Sequence, residues 1–309
     1  MFRLAHISDV HLSPLPELKF HQLASKRITG YLNWKLNRKH KIGEDYLNPL
    51  LDRMHSFEPD HIAVTGDLTN LALPVEIKRA RTFLDRLGGP EKVSALCGNH
   101  DAYVPGAVKK AIAAWQPYLS SETTPIKTKH DFPYLRQYGN VALIGCNSAD
   151  ATAPFMATGY FRKKQARKLK ELLENTRGLF RVIMIHHPPV EKVTPHHKRL
   201  IGIKHFQSAV SECGAELVLH GHTHMPDHNT IRGLDREVPV IGVPAAGNGF
   251  GLIKPIGRFN LFDIESDGPN CQMRWRAFDH GDGNDKPIVE QTFAYELLAP
   301  ASQLDNGCN

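Results

Sequence analysis

The sequence has few cysteines and no long apolar segment, and these shortages exclude several classes of protein. Its 309 residues include five scattered cysteines that form no Cys-x-x-Cys pair, at Cys97, Cys146, Cys213, Cys271 and Cys308. This argues against a disulfide framework or a thiolate zinc site and favours a reducing compartment. No run approaches the roughly 18 apolar residues of a membrane-spanning helix, and Asp9 interrupts the N-terminal segment before a signal peptide could form. We therefore expect a cytoplasmic protein.

Acidic residues are absent from one segment, and the excess positive charge of the chain is concentrated there. The formal net charge is +6, from 38 basic and 32 acidic residues. The segment between Leu18 and Gly43 contains no Asp or Glu and seven basic residues, namely Lys19, Lys26, Arg27, Lys35, Arg38, Lys39 and Lys41. Since these charges exceed the net charge of the chain, the remainder is nearly neutral. We therefore do not expect a nucleic-acid coating over the whole surface.

Short apolar runs rich in β-forming residues alternate with segments of helical periodicity. We predict buried strands at Phe2–Ser8, His61–Thr65, Val93–Cys97, Val141–Cys146, Phe180–His186 and Leu217–His220. We predict helices at Tyr46–Ser56, Val75–Leu87, Gly106–Trp115, Lys163–Thr176 and Lys204–Glu212. After Pro226 we predict a run of strands at Asn229–Ile231, Val238–Val243, Phe259–Ile264 and Met273–Phe278. This order indicates one layered α/β domain at residues 1–282, with a C-terminal extension at 283–309.

Polar residues able to bind metal ions stand at the ends of five predicted strands. These clusters are Asp9 with His11, Gly66-Asp67, Gly98-Asn99-His100-Asp101, His186, and Gly221-His222-Thr223-His224. In open α/β sheets, ligands bind beyond the carboxyl ends of the strands, so we expect the five clusters to meet in one crevice. Carboxylate, amide and imidazole donors without thiolate suit Mn, Fe, Zn or Mg bound for hydrolysis.

The order of these clusters resembles that of the calcineurin-like metallophosphoesterases. The family pattern is Asp-x-His, Gly-Asp, Gly-Asn-His-Asp or Glu, a later His and then Gly-His-x-His, and this chain contains every element over residues 2–226. The resemblance implies a four-layer α/β sandwich of two mixed β-sheets flanked by helices, with the site at one rim. Asn70 stands where iron–zinc purple acid phosphatases carry Tyr, and His11 is in the first site. In this respect the chain is similar to the bacterial class III cyclic-nucleotide phosphodiesterases.

The resemblance also implies two metal ions and a role for each motif residue. The first ion is expected at Asp9, His11, Asp67 and His224, and the second at Asp67, Asn99, His186 and His222. Asp67 bridges the two ions, whose bridging water, as hydroxide, is the expected nucleophile. His100 is expected to stabilise the phosphoryl oxygens or protonate the leaving group, and with Asn99 to bind substrate. We expect Asp101 to orient His100 as a catalytic partner.

The basic segment forms an insertion at residues 15–43 with the pattern of an amphipathic helix. Its apolar residues follow a spacing of four, at Phe20, Ala24, Ile28, Leu32 and Leu36, while Gly30 weakens the helix. Three alternatives stay open. The helix caps the active site with its apolar stripe against the protein, or it binds an anionic membrane surface through residues 18–41 with Trp34, Tyr31 and the basic flanks. In the third it contacts an anionic nucleotide or nucleic acid.

These observations predict a metal-dependent phosphoester hydrolase. A phosphodiester is the expected substrate, with a cyclic nucleotide foremost because the resemblance lies in that branch. The alternative is a pyrophosphate or phosphoester hydrolase acting on a lipid-linked substrate at the membrane, as in the related UDP-diacylglucosamine hydrolases. A non-catalytic scaffold is disfavoured because every ligand position and His100 are present. The expected partners are the phosphoester substrate, an anionic membrane surface and a second copy of the chain, but not nucleic acid.

Overall fold

Two six-stranded β-sheets form the centre of the structure, a computed structural model that describes residues 1–18, 25–38, 42–121, 125–250, 254–281 and 286–300. The strands of the first sheet, numbered along the chain, are β1 (Phe2–Ile7), β2 (His61–Val64), β3 (Val93–Ala95), β12 (Phe259–Asp267), β13 (Asn270–Phe278) and β14 (Val289–Glu296). Their spatial order is β14-β13-β12-β1-β2-β3. Strands β1, β2 and β3 are parallel, whereas β12 is antiparallel to both of its neighbours.

The second sheet has a parallel centre and antiparallel edges. Its strands are β4 (Tyr134–Tyr138), β5 (Val141–Gly145), β7 (Phe180–Met184), β9 (Leu217–His220), β10 (His228–Arg232) and β11 (Glu237–Gly242). Their spatial order is β10-β11-β9-β7-β5-β4, in which β5, β7, β9 and β11 run parallel. A short separate ribbon pairs β6 (Gly159–Tyr160) with β8 (Leu200–Ile201).

Six α-helices are present in the described residues. They are α1 (Arg27–Asn33), α2 (Glu44–Ser56), α3 (Pro74–Leu87), α4 (Ala107–Trp115), α5 (Lys163–Asn175) and α6 (Ile203–Cys213). Helix α1 continues into a π-helical turn at Trp34–Arg38. In this part of the chain, none of the helices combines the length and the apolar character needed to cross a membrane.

The core is layered because successive residues of a strand point to opposite faces of its sheet. Val182 and Met184 of β7 belong to the largest apolar cluster, which joins the two sheets and extends to helices α2, α3 and α4. Ile183, between them, belongs to a second cluster that includes Leu169 of α5 and Phe206 of α6. Both faces of the second sheet are therefore covered, one by the first sheet and the other by helices.

The predicted sandwich of two mixed sheets flanked by helices is confirmed. The ten predicted strands and five predicted helices all form, with ends shifted by up to three residues. The proposed boundary at residue 282 does not coincide with the edge of the sheet, because β14 at Val289–Glu296 pairs with β13. Within the basic insertion, α1 and its π-helical turn cover the second half of the predicted helix, whereas residues 19–24 and 39–41 lie outside the described residues.

Candidate metal centre

The loops that follow the parallel strands meet at one edge of the sandwich. Asp9 follows β1 and donates its backbone N–H to the carbonyl of Gly66 after β2 at 2.9 Å, and His11 donates to the carbonyl of Asp67 at 3.0 Å. The loop after β9 approaches from the second sheet, where a Cβ at Gly221 would overlap the Asp9 carboxylate. The close contact of these loops therefore requires glycine at position 221.

Five of the seven predicted metal ligands have a left-handed backbone. Their φ angles are 52° for Asp9, 46° for His11, 57° for Asp67, 70° for His222 and 57° for His224. Residues with a Cβ rarely adopt this conformation, which costs about 1 kcal/mol or more each. Such strained residues cluster at functional sites, where the surrounding structure holds them. The backbone strain therefore indicates that these loops form a functional site, independently of the chemistry of their side chains.

Two carboxylates and two imidazoles form the first predicted site. One possible ligand atom from each of Asp9, His11, Asp67 and His224 lies within 4.8 Å of the others. The Oδ1 atom of Asp9 is 3.0 Å from Nε2 of His224 and 3.9 Å from Nε2 of His11. Among the described residues, this buried Oδ1 meets no donor with hydrogen-bond geometry, although His224 lies at ion-pair distance. A buried acceptor surrounded by imidazole nitrogens and a second carboxylate fits a metal cation.

The second predicted site adjoins the first through Asp67. Oδ2 of Asp67 is 3.8 Å from Nε2 of His11 in the first site and 3.5 Å from Nε2 of His186 in the second. The same nitrogen of His186 is 3.2 Å from Oδ1 of Asn99. The ring centroids of His186 and His222 are 5.2 Å apart. The structure thus brings all seven predicted ligands together.

The imidazoles of the two sites are oriented by backbone carbonyls. Nδ1 of His11 is 3.1 Å from the carbonyl of Thr69, and Nδ1 of His186 is 2.7 Å from that of Thr65. Nε2 of His222 is 2.9 Å from the carbonyl of Lys198. Donation from one ring nitrogen to a carbonyl fixes the tautomer and leaves the other nitrogen able to bind a metal. This second observation also fits a metal centre.

Charge and burial act in opposite directions on the ionisable groups of the site. Burial by itself raises the pKa of Asp9, but the His224 imidazole overcomes this and holds that pKa well below its usual range. Burial lowers the pKa of His186, but the charge of Asp67 dominates and raises it to about 9. Burial keeps the pKa of His222 well below its ordinary value. The charges of His186 and His100 likewise overcome burial and lower the pKa of Asp67, so both carboxylates are ionised, as carboxylate ligands of a metal must be.

His187 lies beside the second site, but both of its nitrogens are occupied by the protein. Nδ1 is 2.8 Å from the hydroxyl of Ser148, and Nε2 is 3.2 Å from the carbonyl of Ala157. A ligand atom of His187 also lies within 4.8 Å of those of His186 and His222. These hydrogen bonds connect the metal-site loop to the segment around Ala157, so we assign His187 a structural role.

His100 is oriented by the backbone of the preceding motif. Its Nδ1 is 2.6 Å from the carbonyl of Asn70, so Nδ1 carries the proton and donates it to that oxygen. Its backbone N–H donates to Oδ1 of Asp67 at 2.7 Å. The ring packs edge-on against His11, with 4.7 Å between centroids. His100 is therefore held against the first metal site.

The expectation that Asp101 orients His100 is wrong. The Asp101 carboxylate accepts backbone N–H groups from Gly98, Asp67 and Thr69 at 2.8 to 2.9 Å, together with the Thr69 hydroxyl. Burial, reinforced by the nearby charge of Asp67, raises the pKa of Asp101 to about 7. Asp101 thus joins the Gly-Asp and Gly-Asn-His loops, and the Asn70 carbonyl performs the orienting role.

A cavity of about 360 Å³ opens onto this cluster. Its walls include predicted site residues, namely Asp67, Asn99, His100, His222 and His224. They also include residues that no motif indicated, among them Lys26, Tyr103, Phe155, Lys198 and Lys254. These residues come from separate loops and from α1, so their spacing in the sequence carries no signal. Three lysines lie in this cavity beside the predicted metal ligands, so the cavity is suited to an anionic ligand.

The chain shares a sequence pattern and a fold with known proteins. It matches the family model described as calcineurin-like phosphoesterase over residues 2–226, and no curated protein matches it significantly. Its structure is similar to purple acid phosphatase PPD1 from yellow lupin (Lupinus luteus) seeds, with 11% identity and a TM-score of 0.55 over 94% of this chain and 53% of that one. This chain therefore spans about half the length of the lupin enzyme.

Two further solved structures show weaker likeness. NAD nucleotidase (NadN) of Haemophilus influenzae is 11% identical, with a TM-score of 0.48 over 96% of this chain and 50% of that one. The calcineurin-like phosphoesterase YfkN of Bacillus subtilis is 9% identical, with a TM-score of 0.44 over 99% of this chain and 94% of that one. At 11% identity, the likeness to the lupin enzyme bears on the fold alone.

Proposed function

The chain belongs to the calcineurin-like phosphoesterase family, and from that premise we propose that it is a binuclear metal-dependent phosphodiesterase. The observation that carries this proposal is the convergence of the seven predicted ligands and His100 beside one cationic cavity. Two bound ions would activate a water and neutralise charge on a phosphoryl group. Asp9, His11, Asp67 and His224 would hold one ion, and Asp67, Asn99, His186 and His222 the other.

The remaining residues of the cavity have roles that follow from their positions. Because Nδ1 of His100 donates to the Asn70 carbonyl, Nε2 is the atom that would face a phosphoryl oxygen or a departing alkoxide. It would donate there as the imidazolium, which carries a proton on both nitrogens. Lys26, Lys198 and Lys254 would attract the phosphoester anion. These residues would bind the substrate and orient its phosphoryl group toward the two ions, which would supply the activated water.

The substrate is proposed at a finer level than the family. A cyclic nucleotide is the leading candidate because of the resemblance of the metal motifs to the bacterial cyclic-nucleotide phosphodiesterases, and the cavity of about 360 Å³ lies in the size range of small-molecule sites. A lipid-linked phosphoester or pyrophosphate is the second candidate, because apolar residues of α1 face solvent close to the cavity. A cytoplasmic location, a homodimer and the choice among Mn, Fe, Zn and Mg stay predictions.

A substrate panel tests the proposal. Protein loaded with each metal in turn would be assayed with bis-p-nitrophenyl phosphate, p-nitrophenyl phosphate, cyclic nucleotides and lipid pyrophosphates. We expect the diester to be hydrolysed faster than the monoester, and the Asp67→Ala variant to be inactive on every substrate. A wild-type protein that holds two ions and hydrolyses none of these compounds would instead be a non-catalytic member of the family.

A further inference from the structure

Helix α1 covers the cavity with its polar side. The ammonium of Lys26, at its N-terminal end, donates to the hydroxyl of Thr152 at 2.7 Å and to the carbonyl of Met156 at 2.8 Å. A Cβ at Gly30 would overlap the Tyr103 hydroxyl, so glycine permits the close approach of the helix to this residue. Lys26, Gly30 and Tyr103 all line the cavity.

A second contact fixes the rotation of α1 about its axis. The Arg27 guanidinium donates to the carbonyls of Leu71 and Ala72, each at 2.9 Å. Trp34 is only 8% exposed, and its ring stacks on that of Tyr31. These residues hold the polar side of the helix and Trp34 against the protein. Of the residues that the membrane alternative assigns to the surface, Trp34 is therefore not available, because its side chain is buried.

The apolar stripe of α1 consequently faces solvent. Ile28 is 50% exposed, Leu32 is 51% exposed, and Leu36 in the π-helical turn is 78% exposed. The alternative in which this stripe packs against the protein is therefore wrong for the described residues, although the helix does cover the cavity. Three aligned aliphatic side chains in water are unfavourable by about 25 cal/mol per Å² of apolar surface. Such an exposed stripe indicates an interaction surface.

A further exposed apolar residue lies in the loop that contacts the start of α1. Phe155 is 81% exposed and lines the same cavity as Lys26. The loop that carries Phe155 is attached to α1 through Thr152 and Met156. Phe155 therefore adds an exposed aromatic side chain at a cavity that is also lined by Lys26, Lys198 and Lys254.

We propose that α1 and Phe155 form a docking surface for an anionic lipid bilayer, which places lipid phosphate groups at the mouth of the cavity. The exposed leucine and isoleucine side chains favour contact with an apolar partner. The positive charge of Lys35 beside them favours a partner that is also anionic. Lys35 is exposed beside the stripe, and the sequence between Leu18 and Gly43 contains no acidic residue that would repel an anionic surface. A surface of anionic phospholipids supplies both properties. The proposal rests on the proposed function for the reaction in the cavity.

A second copy of the chain fits this surface less well. Closed dimers place the same patch of each subunit face to face. Such an interface through α1 would bring two basic segments together, and the repulsion between like charges would oppose it. The charge pattern therefore favours a lipid surface over self-association.

Vesicle co-sedimentation of the full, metal-loaded chain tests the docking surface. We expect the wild-type protein to bind vesicles of phosphatidylglycerol and phosphatidylcholine, and to bind pure phosphatidylcholine far less. The double variant Leu32→Ser/Leu36→Ser should lose at least tenfold in binding. Lys35→Gln should lose about fivefold at low salt and less at high salt. The matched control is Leu234→Ser. Leu234 is 43% exposed, which is similar to Leu32, but it lies in the turn between β10 and β11 and outside the docking surface.

Turnover of bis-p-nitrophenyl phosphate separates this proposal from the proposed function. The Leu32→Ser/Leu36→Ser variant should hydrolyse this soluble diester like the wild-type enzyme. Absence of wild-type turnover would contradict the proposed function whatever the vesicle result. No binding of the wild-type protein to anionic vesicles, or equal binding by the double variant, would overturn the docking surface. The docking surface would also be overturned if the wild-type protein were a dimer that does not bind vesicles and the double variant were a monomer. The stripe would then be the contact between two copies of the chain.

Discussion

Asp67 lies between the two groups of predicted ligands, so its carboxylate is expected to serve both ions. Its Oδ2 is within 3.8 Å of imidazole nitrogens from each group. We therefore predict that Asp67→Ala loses both tightly bound metal ions, because Asp67 is the one predicted ligand that serves both ions and its charge offsets the repulsion between them. Asp9 faces the first group and is the matched control: Asp9→Ala should lose one ion. Metal analysis of the purified variants decides this, and two tight ions in Asp67→Ala would refute the bridge.

The proposed role of His100 is to act on the leaving group. We predict that His100→Ala keeps both metal ions but slows turnover by about 10²–10⁴-fold for a diester with an alkoxide leaving group. A diester that releases p-nitrophenolate should lose much less, because that group needs little protonation. Steady-state rates with both substrates provide the measurement. An equal loss on both would exclude proton donation and leave stabilisation of the phosphoryl oxygens as the role of His100.

Glu76, in the first turn of α3, helps to fix the loop whose carbonyl orients His100. Its buried carboxylate accepts backbone N–H groups from Asn70 at 2.8 Å and from Leu73 at 2.9 Å, and the Asn70 carbonyl holds His100. We predict that Glu76→Gln lowers turnover about tenfold with metal content unchanged. The loss should disappear in a His100→Ala background, because Glu76 acts through that ring.

A matched variant separates this effect from a general loss of stability. Glu216 is also buried and is paired with Arg181 in the second sheet, at the edge away from the metal centre. Glu216→Gln should therefore lower the melting temperature without changing turnover of the folded enzyme. A Glu76→Gln loss that persists unchanged without His100 would show that Glu76 acts by another route.

At the scale of elements, α1 delivers a titrating charge to the cavity. Burial lowers the pKa of Lys26 to about 8, and its ammonium lies 4.9 Å from the centre of the Tyr103 ring. Lys26 is charged below that pH and loses its charge above it, so attraction of an anionic substrate should weaken as the pH rises through about 8. We predict that kcat/KM falls by about tenfold across this range. Lys26→Arg should remove the decline, since guanidinium stays protonated, and an unchanged profile would contradict the assignment.

The elements that carry the metal motifs could be predicted from the sequence because their signals are local. β9 at Leu217–His220 is a short apolar run followed by Gly-His-x-His, and it forms as predicted. β4 at Tyr134–Tyr138 was missed because its residues Arg136 and Gln137 break the apolar pattern, although the strand pairs with β5. The periodicity of α1 was recognised, but its rotation depends on Arg27 reaching the carbonyls of Leu71 and Ala72. Periodicity shows which residues share a face, but not what that face meets.

The side-chain roles show the same division between local and distant information. Asp101 stands next to His100 in the sequence, which suggested that the two residues interact. In the structure its carboxylate binds backbone groups of Asp67 and Thr69, more than 30 positions away. The cavity lysines come from equally distant segments. These pairings arise from how the loops meet across the sheets, which no single-sequence motif records.

At the scale of the whole molecule, the metal centre connects the two sheets. Asp9 and Asp67 follow strands of the first sheet, whereas His186 and His222 follow strands of the second. Without metal, the buried carboxylates repel each other and five ligands keep a left-handed backbone. We predict that chelation lowers the melting temperature by several degrees or more, because an ion that binds the folded chain stabilises it according to its affinity. Calorimetry with and without a chelator, followed by readdition of metal, checks this.

Strand β14 affects how the molecule behaves at high concentration. The strand next to it, β13, is nine residues long and carries Met273 and Trp275 on its buried side. If β13 were the last strand of the sheet, it would offer unpaired N–H and C=O groups along an apolar strand, the kind of edge that initiates aggregation. β14 occupies that edge and presents Glu290, Gln291 and Glu296 to water. We therefore expect β14, the last strand of the described residues, to protect the protein against aggregation, at a distance from the candidate metal centre.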